Sequence, residues 1–430
     1  MKEKKWLNLI WVLLFSVGVA GIVTAGYIFR FSLFSIGIYS MSFYGIFTIT
    51  HFVLQMVFAP ANTNRNRGKP DYNPTVSIVI PAYRETPDLL RACLISIALQ
   101  SYKKITQVIL SNDGRDQYIK DIFQVVSQGK DGWIYLEDDH QGKRPAMYRG
   151  FGVATGEIIV CIDSDTVIGP KAIDRLIQPF ANSDVGCATG DIAVLNRSKN
   201  ILTAVTNLRY WLAFNFERAA QSFFGVMTCV SGPIGAYRRS NIEKIKDRWL
   251  NQTFLGNPCT FGDDRHLTNL ILSLGFKSIF VKQAKAETEA PEHLLRWIQQ
   301  QLRWSRSFFR EFIINLRWFH KHSPWLAFDL VYQAVFPFFL LVNLAIIFYL
   351  AFTQTPTFLI LWIALLIFFG LIRALYGVIS TGNPQFFMFI LYGFLYITIL
   401  LPLKLYAVAT LWKTTWGTSP RIETGQRRTR

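Results

Sequence analysis

Apolar residues along this chain are gathered in blocks. Residues 6–29 are apolar apart from Asn8 and a few hydroxyl residues, and a second block, 31–58, follows Arg30 at once. Three more blocks cover 326–352, 358–379 and 386–411. At about 1.5 Å per residue, each is long enough to cross a bilayer core of about 30 Å. The pattern predicts an integral membrane protein that begins with a helical hairpin. A cleaved signal peptide fits less well, because the second block follows directly. Lys2, Lys4 and Lys5 before the hairpin, and Arg65, Arg67 and Lys69 after it, place both its ends in the cytoplasm. His51 and Gln55, inside the second block, are expected to face other helices. Pro402 and Lys404 interrupt the last block. Proline breaks the helical ladder and a mid-membrane cation is costly, so this block is expected to bend near Pro402 and return, or to finish as a surface helix. Either leaves the basic tail in the cytoplasm.

Between the blocks the period changes. Residues 62–74 are polar and read as a linker. Residues 75–81, Thr-Val-Ser-Ile-Val-Ile-Pro, read as a buried strand, and further β-rich runs cover 107–111, 133–136 and 157–162. Helical stretches, 89–100 and 144–153, lie between them. This alternation predicts an α/β domain over 62–322, its mostly parallel sheet covered by helices, with transmembrane regions at 1–61 and 323–430. Ligands bind such sheets at the carboxyl ends of the strands. Polar clusters sit at those ends: Tyr83-Arg84-Glu85, Asn112-Asp113-Gly114 and Asp163-Ser164-Asp165. Residues 201–224 and 297–322, rich in aromatics and Arg, read as amphipathic helices suited to a membrane surface, with a core-facing helix as the alternative.

Charge narrows the partners. The 430 residues carry a formal charge of +17. In a membrane protein that surplus suits lipid headgroups and an anionic substrate, and nucleic acid is not the reading. Five scattered Cys with no C-x-x-C pair indicate neither a disulfide framework nor a zinc site, and fit a reducing cytoplasmic face.

The densest chemistry lies between Thr260 and Ser307. Gly262-Asp263-Asp264-Arg265-His266-Leu267-Thr268 sets two carboxylates beside a permanent cation. A sugar hydroxyl is a poor nucleophile at neutral pH, and a carboxylate that takes its proton is worth about 10²–10⁴ in rate. Asp264 is the expected base, with Asp263 supporting; a surface acidic turn paired to Arg265 is the alternative. Gln300-Gln301-Leu302-Arg303-Trp304 brings amides, a phosphate-binding guanidinium and an indole able to stack on a sugar. Asp163 and Asp165 at a strand end can jointly hold a hard divalent cation, which a nucleotide diphosphate leaving group needs. Asp113, beside Gly114, can accept the imide hydrogen of a uracil, or form an ordinary turn. Gly142-Lys143-Arg144 places two cations at a helix start, where phosphate could bind, or forms a solvated basic turn. The set points to an enzyme acting on an activated sugar.

These motifs run in order with Val79-Ile80-Pro81-Ala82-Tyr83, Ser231-Gly232-Pro233 and Trp416-Gly417-Thr418-Ser419. The ordered set resembles the membrane-embedded processive family 2 glycosyltransferases. Phe308-Phe309-Arg310-Glu311, Trp318-Phe319-His320-Lys321-His322 and the Trp-Gly-Thr-Ser ending look most like hyaluronan synthases within them. Related chitin-oligomer synthases share much of the rest, commonly with Glu in place of Asp263. The resemblance implies a GT-A catalytic domain on the cytoplasmic face and UDP-sugar donors. It also implies inverting transfer with Mg2+ or Mn2+, and a self-formed channel. By motif position, Tyr83, Glu85 and Asp113 would meet the donor, Asp113 at the uracil. Asp163 and Asp165 would hold diphosphate and metal, flanked by Lys143 and Arg144. Arg303 would hold pyrophosphate and Trp304 the acceptor, with Gln300 and Gln301 beside them. Trp416 and Thr418 would lie near the entrance. Two departures stand out. Ser111-Asn112 replaces acidic residues that many relatives carry before the Asp-Gly pair, and animal hyaluronan synthases continue through more spans after Trp-Gly-Thr-Ser.

The expected product is hyaluronan from UDP-GlcNAc and UDP-GlcA, made at the plasma membrane without an obligatory protein partner. A chitin or chitin-oligomer synthase using UDP-GlcNAc alone is the alternative. A non-processive enzyme making a lipid-linked sugar would have no use for the platform at 300–304. A transporter or scaffold without catalysis is distinguished by UDP release.

Overall fold

The computed structural model describes residues 33–65, 72–319 and 323–414. The apolar block at 6–29, residues His320 to His322 and the Trp416–Ser419 motif lie outside the described residues. The chain divides into two compact units. One combines the residues up to Val57 with Leu316–Leu405, and the other combines Phe58–Asn315 with the residues from Tyr406 onward.

The second unit is built on an eight-stranded sheet. Its strands are β1 (Val76–Ala82), β2 (Ile105–Asp113), β3 (Trp133–Asp138), β4 (Ile158–Cys161), β5 (Thr166–Ile168), β6 (Val185–Val194) and β7 (Gly235–Arg238), with β10 (Lys277–Thr288). The short strands β8 (Thr253–Phe254) and β9 (Asn257–Pro258) pair separately. The order across the large sheet is β3-β2-β1-β4-β7-β6-β10-β5. The first four strands are parallel, as the alternating pattern predicts. The other half is mixed, since β7 runs antiparallel to both β4 and β6, and β5 to β10. All of β1 is buried, which fits a continuous β-branched run covered on both faces. The Lys143–Val153 helix packs on it closely: a Cβ at Gly150 would come within 2.4 Å of Val79 Cγ1.

The aromatic stretch at 201–224 is core-facing. It forms a helix at Ile201–Leu212, a π-turn at Ala213–Arg218 and a short helix at Ala219–Phe223. Asn207 accepts from the Val194 amide at 3.0 Å, and Asn215 donates to Asp191 at 2.8 Å, fastening it to β6. The second aromatic stretch is one helix, Leu294–Asn315, with Leu294, Leu295, Trp304 and Ile313 exposed.

Among the described residues, four helical segments are long and apolar enough to cross a membrane: Met41–Asn62, Pro324–Thr353, Thr357–Thr381 and Pro384–Val408. In the first unit His51 does meet another helix. Its Nε2 lies 2.9 Å from Asp329 Oδ1, and its ring stacks on Tyr332 at 3.9 Å. Gln333 donates to the other Asp329 oxygen at 2.7 Å, so this buried carboxylate has partners on both oxygens. The last apolar block stays helical through Pro402 to Val408. A π-turn at Tyr396–Leu400 directly precedes the proline and accommodates its missing N–H and bulky ring. Lys404 is met by protein, its Nζ donating to Tyr396 Oη at 3.1 Å.

Candidate active site

Strand β1 pairs with β2 on one side and β4 on the other, so the loops leaving β1 and β4 part and open a crevice at their carboxyl ends. Glu85, buried in the loop after β1, crosses it by accepting from Ser164 Oγ at 3.0 Å. Its role is to hold the Asp163-Ser164-Asp165 turn. Asp163 pairs with Lys143, the first residue of the Lys143–Val153 helix. Burial raises the Asp163 carboxyl above the usual carboxylate range, Lys143 opposes this, and Asp165 adds to it. On Lys143, burial works against the charge, but Asp163 outweighs it and the ammonium pKa is raised. Asp165 Oδ1 accepts from Thr166 and Thr288 hydroxyls at 3.3 and 3.2 Å.

Two hard carboxylates in one turn fit Mg2+ or Mn2+. Among the described residues no group of three or more His, Cys, Asp or Glu is placed to hold an ion. A two-carboxylate set suits an ion whose remaining ligands come from a substrate's phosphates and from water.

Asp113, expected at a uracil, is engaged elsewhere. It is 1% exposed. One oxygen takes His140 Nδ1 at 2.8 Å and the Gly142 amide at 2.7 Å, and the other takes the Gln141 amide at 2.9 Å. Asp113 therefore shapes the loop that delivers Lys143. Tyr83 closes the same corner, its ring stacked on His140 at 3.8 Å. Nothing in the sequence marks His140, a lone histidine outside any recognisable spacing.

Arg144 is a second correction. It does not flank a phosphate, because it is 2% exposed and points into the protein. Its Nε donates to Asp263 Oδ1 at 2.6 Å, Nη1 to the Trp249 carbonyl at 3.1 Å and Nη2 to Gln252 Oε1 at 2.9 Å.

Gly262 caps the Asp263–Ser273 helix in the left-handed region, at φ 87°. A Cβ there would strike Ser307 Oγ at 2.2 Å as well as straining the backbone, so glycine is required on both counts. Asp263 and Asp264 lie in the first turn, where the helix dipole favours negative charge. Asp263 is buried against Arg144, whereas Asp264 is only half-buried. Asp264 accepts from the Arg265 amide at 2.8 Å, and the Cys229 thiol lies 3.5 Å from its other oxygen. Burial, with the Asp264 charge adding, pushes the Cys229 thiol up to about 11. Arg218, whose pKa burial lowers, lies over the Phe214 ring at 4.0 Å, with Asp264 and Arg265 among the charges around it. All five cysteines are free and buried. One cavity is lined by Lys143, Asp163, Ser231, Gly232, Asp263 and Asp264, bringing together four separate motifs.

On the Leu294–Asn315 helix, Trp304 is 43% exposed, with Tyr210 at 6.4 Å between ring centroids. Gln301 and Arg303 are half-buried, and Gln300 Oε1 is a buried acceptor without a partner among the described residues. Trp416 and Thr418 lie outside the described residues, but the residues just before them are fastened down. Thr414 O accepts from both the amide and the hydroxyl of Thr260, at 3.0 and 3.2 Å. Arg306 reaches Thr410 Oγ1 with Nη2 at 2.8 Å.

Residues 74–307 match the family described as glycosyltransferase like family 2. Hyaluronan synthase 3 of Xenopus laevis is 35% identical across 98% of this chain and 82% of its own length. Hyaluronan synthase 2 of Homo sapiens is 35% identical across 96% of this chain and 83% of its own. Among solved structures, a mannosyltransferase from Pyrobaculum calidifontis, in complex with GDP-Man and Mn2+, aligns with a TM-score of 0.57. It covers 85% of this chain and 98% of that one at 17% identity, a likeness of fold.

Proposed function

Since the chain belongs to the hyaluronan synthases of glycosyltransferase family 2, we propose that it polymerises UDP-GlcNAc and UDP-GlcA into hyaluronan and passes the polymer through its own membrane-spanning unit. What supports this reading is the cavity that the Lys143–Asp163 pair and the Asp263–Asp264 turn line together.

The residues divide the work as follows. The acceptor hydroxyl attacks the anomeric carbon of the donor from the face opposite UDP, and its proton passes to the Asp264 carboxylate. The bond from the anomeric carbon to the diphosphate oxygen breaks, with inversion. Asp264 is the catalytic residue because Asp263 is committed to Arg144. Asp163 and Asp165 would hold Mg2+ or Mn2+, which when bound offsets the charge growing on UDP. Lys143 supplies a fixed cation on that side, and Arg303 meets the pyrophosphate. Trp304 stacks on the acceptor sugar, with Gln300 and Gln301 as hydrogen-bonding neighbours and Trp416 and Thr418 at the entrance. Tyr83, Glu85 and Asp113 act by shaping the donor loops.

The protein is a membrane protein by its apolar helices and its family. We place the α/β unit on the cytoplasmic side of the plasma membrane, on the strength of the basic residues Arg65, Arg67 and Lys69 beside it. The second reading, a chitin-type synthase, shares the donor side. The deciding experiment gives the purified protein each donor alone and both together. High-mass polymer that needs both donors and is digested by hyaluronidase is expected. Long polymer from UDP-GlcNAc alone would establish the chitin-type reading instead.

A further inference from the structure

The Phe308-Phe309-Arg310-Glu311 phrase lies one to two turns beyond Trp304 on the Leu294–Asn315 helix and has no part in the transfer just described. Its two charged residues are nonetheless among the most buried in the protein, at 1% and 3% exposure. Both grip the turn that carries Asp264. Arg310 lies on the upstream side, with Nη2 donating to the Phe261 carbonyl at 3.0 Å and the guanidinium 4.2 Å from the Phe261 ring. Glu311 lies on the downstream side. One oxygen faces His266 Nδ1 at 2.9 Å and accepts from Gln252 Nε2 at 2.6 Å. The other accepts from Asn269 and Asn315 at 3.0 and 3.3 Å.

The link through Gln252 is directional. Its amide N–H faces the Glu311 carboxylate, and its amide oxygen faces Arg144, which in turn donates to Asp263. Carboxylate, amide, guanidinium and carboxylate follow in an alternating order that leaves only one favourable orientation for each group. Burial alone would neutralise Glu311. Its pairing with His266 and the hydrogen bonds from His266, Asn269 and Asn315 outweigh burial and bring its pKa down to about 2, so the charge at this end of the relay is permanent near neutral pH.

We infer that Glu311 is a positioning residue for sugar transfer, acting through Gln252 and Arg144 to fix Asp263 and thereby aim Asp264. The inference rests on Asp264 being the base. It also assigns a purpose to the helix as a whole. Trp304 and Glu311 are seven residues apart, about two turns, so one rigid element sets both the acceptor platform and the direction of the base. A misaim of about 1 Å at a reacting group costs on the order of 100-fold in rate.

The test compares Glu311→Gln, which keeps shape and removes charge, with Gln252→Met, which keeps volume and cuts the relay. Both are made in the full-length protein, and turnover, UDP affinity and the share of donor hydrolysed without polymer growth are measured. The inference expects turnover to fall at least tenfold in both, with UDP affinity within twofold of the original. It also expects a larger hydrolysed share, because water needs less aiming than a polymer end. A purely structural role would instead lower UDP affinity, polymer and hydrolysis in proportion, and that result overturns the inference. Should Glu311→Gln fail to fold, Gln252→Met decides alone, and unchanged turnover in it also overturns the inference. Asp264→Asn is run alongside. If it retains turnover, the base assignment itself is at fault; if it is inactive while the other two variants are normal, only the relay is.

Discussion

Arg144 holds Asp263 at 2.6 Å with both side chains nearly closed to solvent, and this one contact separates two adjacent aspartates into different roles. Asp264→Asn should fold normally, bind UDP and lose about two to four orders of magnitude in turnover. Asp263→Asn leaves the buried Arg144 charge without its partner, a loss of about 3–5 kcal/mol. It should melt at a lower temperature and yield less folded protein. Thermal melts and turnover of the two variants check this, and a reversed pattern would exchange the roles.

Gly232 supports the donor side. A Cβ there would lie 2.7 Å from Asp163 Oδ2 and 3.1 Å from Lys143 Nζ, both flexible side-chain ends. Gly232→Ala should therefore leave stability nearly intact while pushing that pair out of place. A raised donor KM with little change in melting temperature is expected; an unchanged KM would mean the pair can move aside without harm to binding.

Asp165→Asn removes one of the two carboxylates offered to the cation. Binding of UDP should lose its dependence on Mg2+ or Mn2+, and transfer should cease. Calorimetric titration of UDP with and without each metal gives the answer, and metal-dependent binding identical to the original would remove Asp165 from the site.

Trp304→Ala removes an exposed indole. It should cut polymer synthesis far more than donor hydrolysis. Parallel assays of polymer mass and released UDP distinguish this from a folding defect, which would lower both equally.

Residues 410 and 414 are bonded to Arg306 and Thr260, so the C-terminal tail is expected on the same side of the membrane as the α/β unit. A tag after Arg430 in sealed vesicles of known orientation should be cut by protease from that side. Cleavage only from the opposite side would contradict both the bonds and the proposed place of Trp416 and Thr418.

Strands β1 and β4 are legible because burial on two faces demands unbroken apolar, β-branched-rich runs, and such runs are visible without partners; β3, a half-buried edge strand, is legible from its aromatic and β-branched residues instead. The positions of Lys143, Asp163 and Asp264 follow from the same logic, since strand ends and helix starts are where polar groups can converge. Arg144 and Asp113 are not legible in this way. Each belongs to a motif that suggests a ligand, but its actual partner lies far along the chain or in a loop whose path no local pattern reveals. Asp263 is 119 residues from Arg144, and Gln252 is 59 from Glu311. Nor does the pattern anticipate β7, a four-residue antiparallel strand, Gly-Ala-Tyr-Arg, slotted between β4 and β6. Pro402 is legible as a local break in the helical ladder, and a single π-turn absorbs it without ending the helix.

The bonds from Thr260 to Thr414 also set a timetable for biosynthesis. Thr260 and the Asp263–Asp264 turn leave the ribosome long before residue 414, with every C-terminal apolar helix still to be made. A nascent chain at that stage has its aspartates and the strands before them, but lacks β10 and the strap that secures the loop ahead of the aspartates. The strap can form only after the last of those helices has been synthesised. Order of manufacture thus makes the finished active-site loop wait for the C-terminal apolar helices.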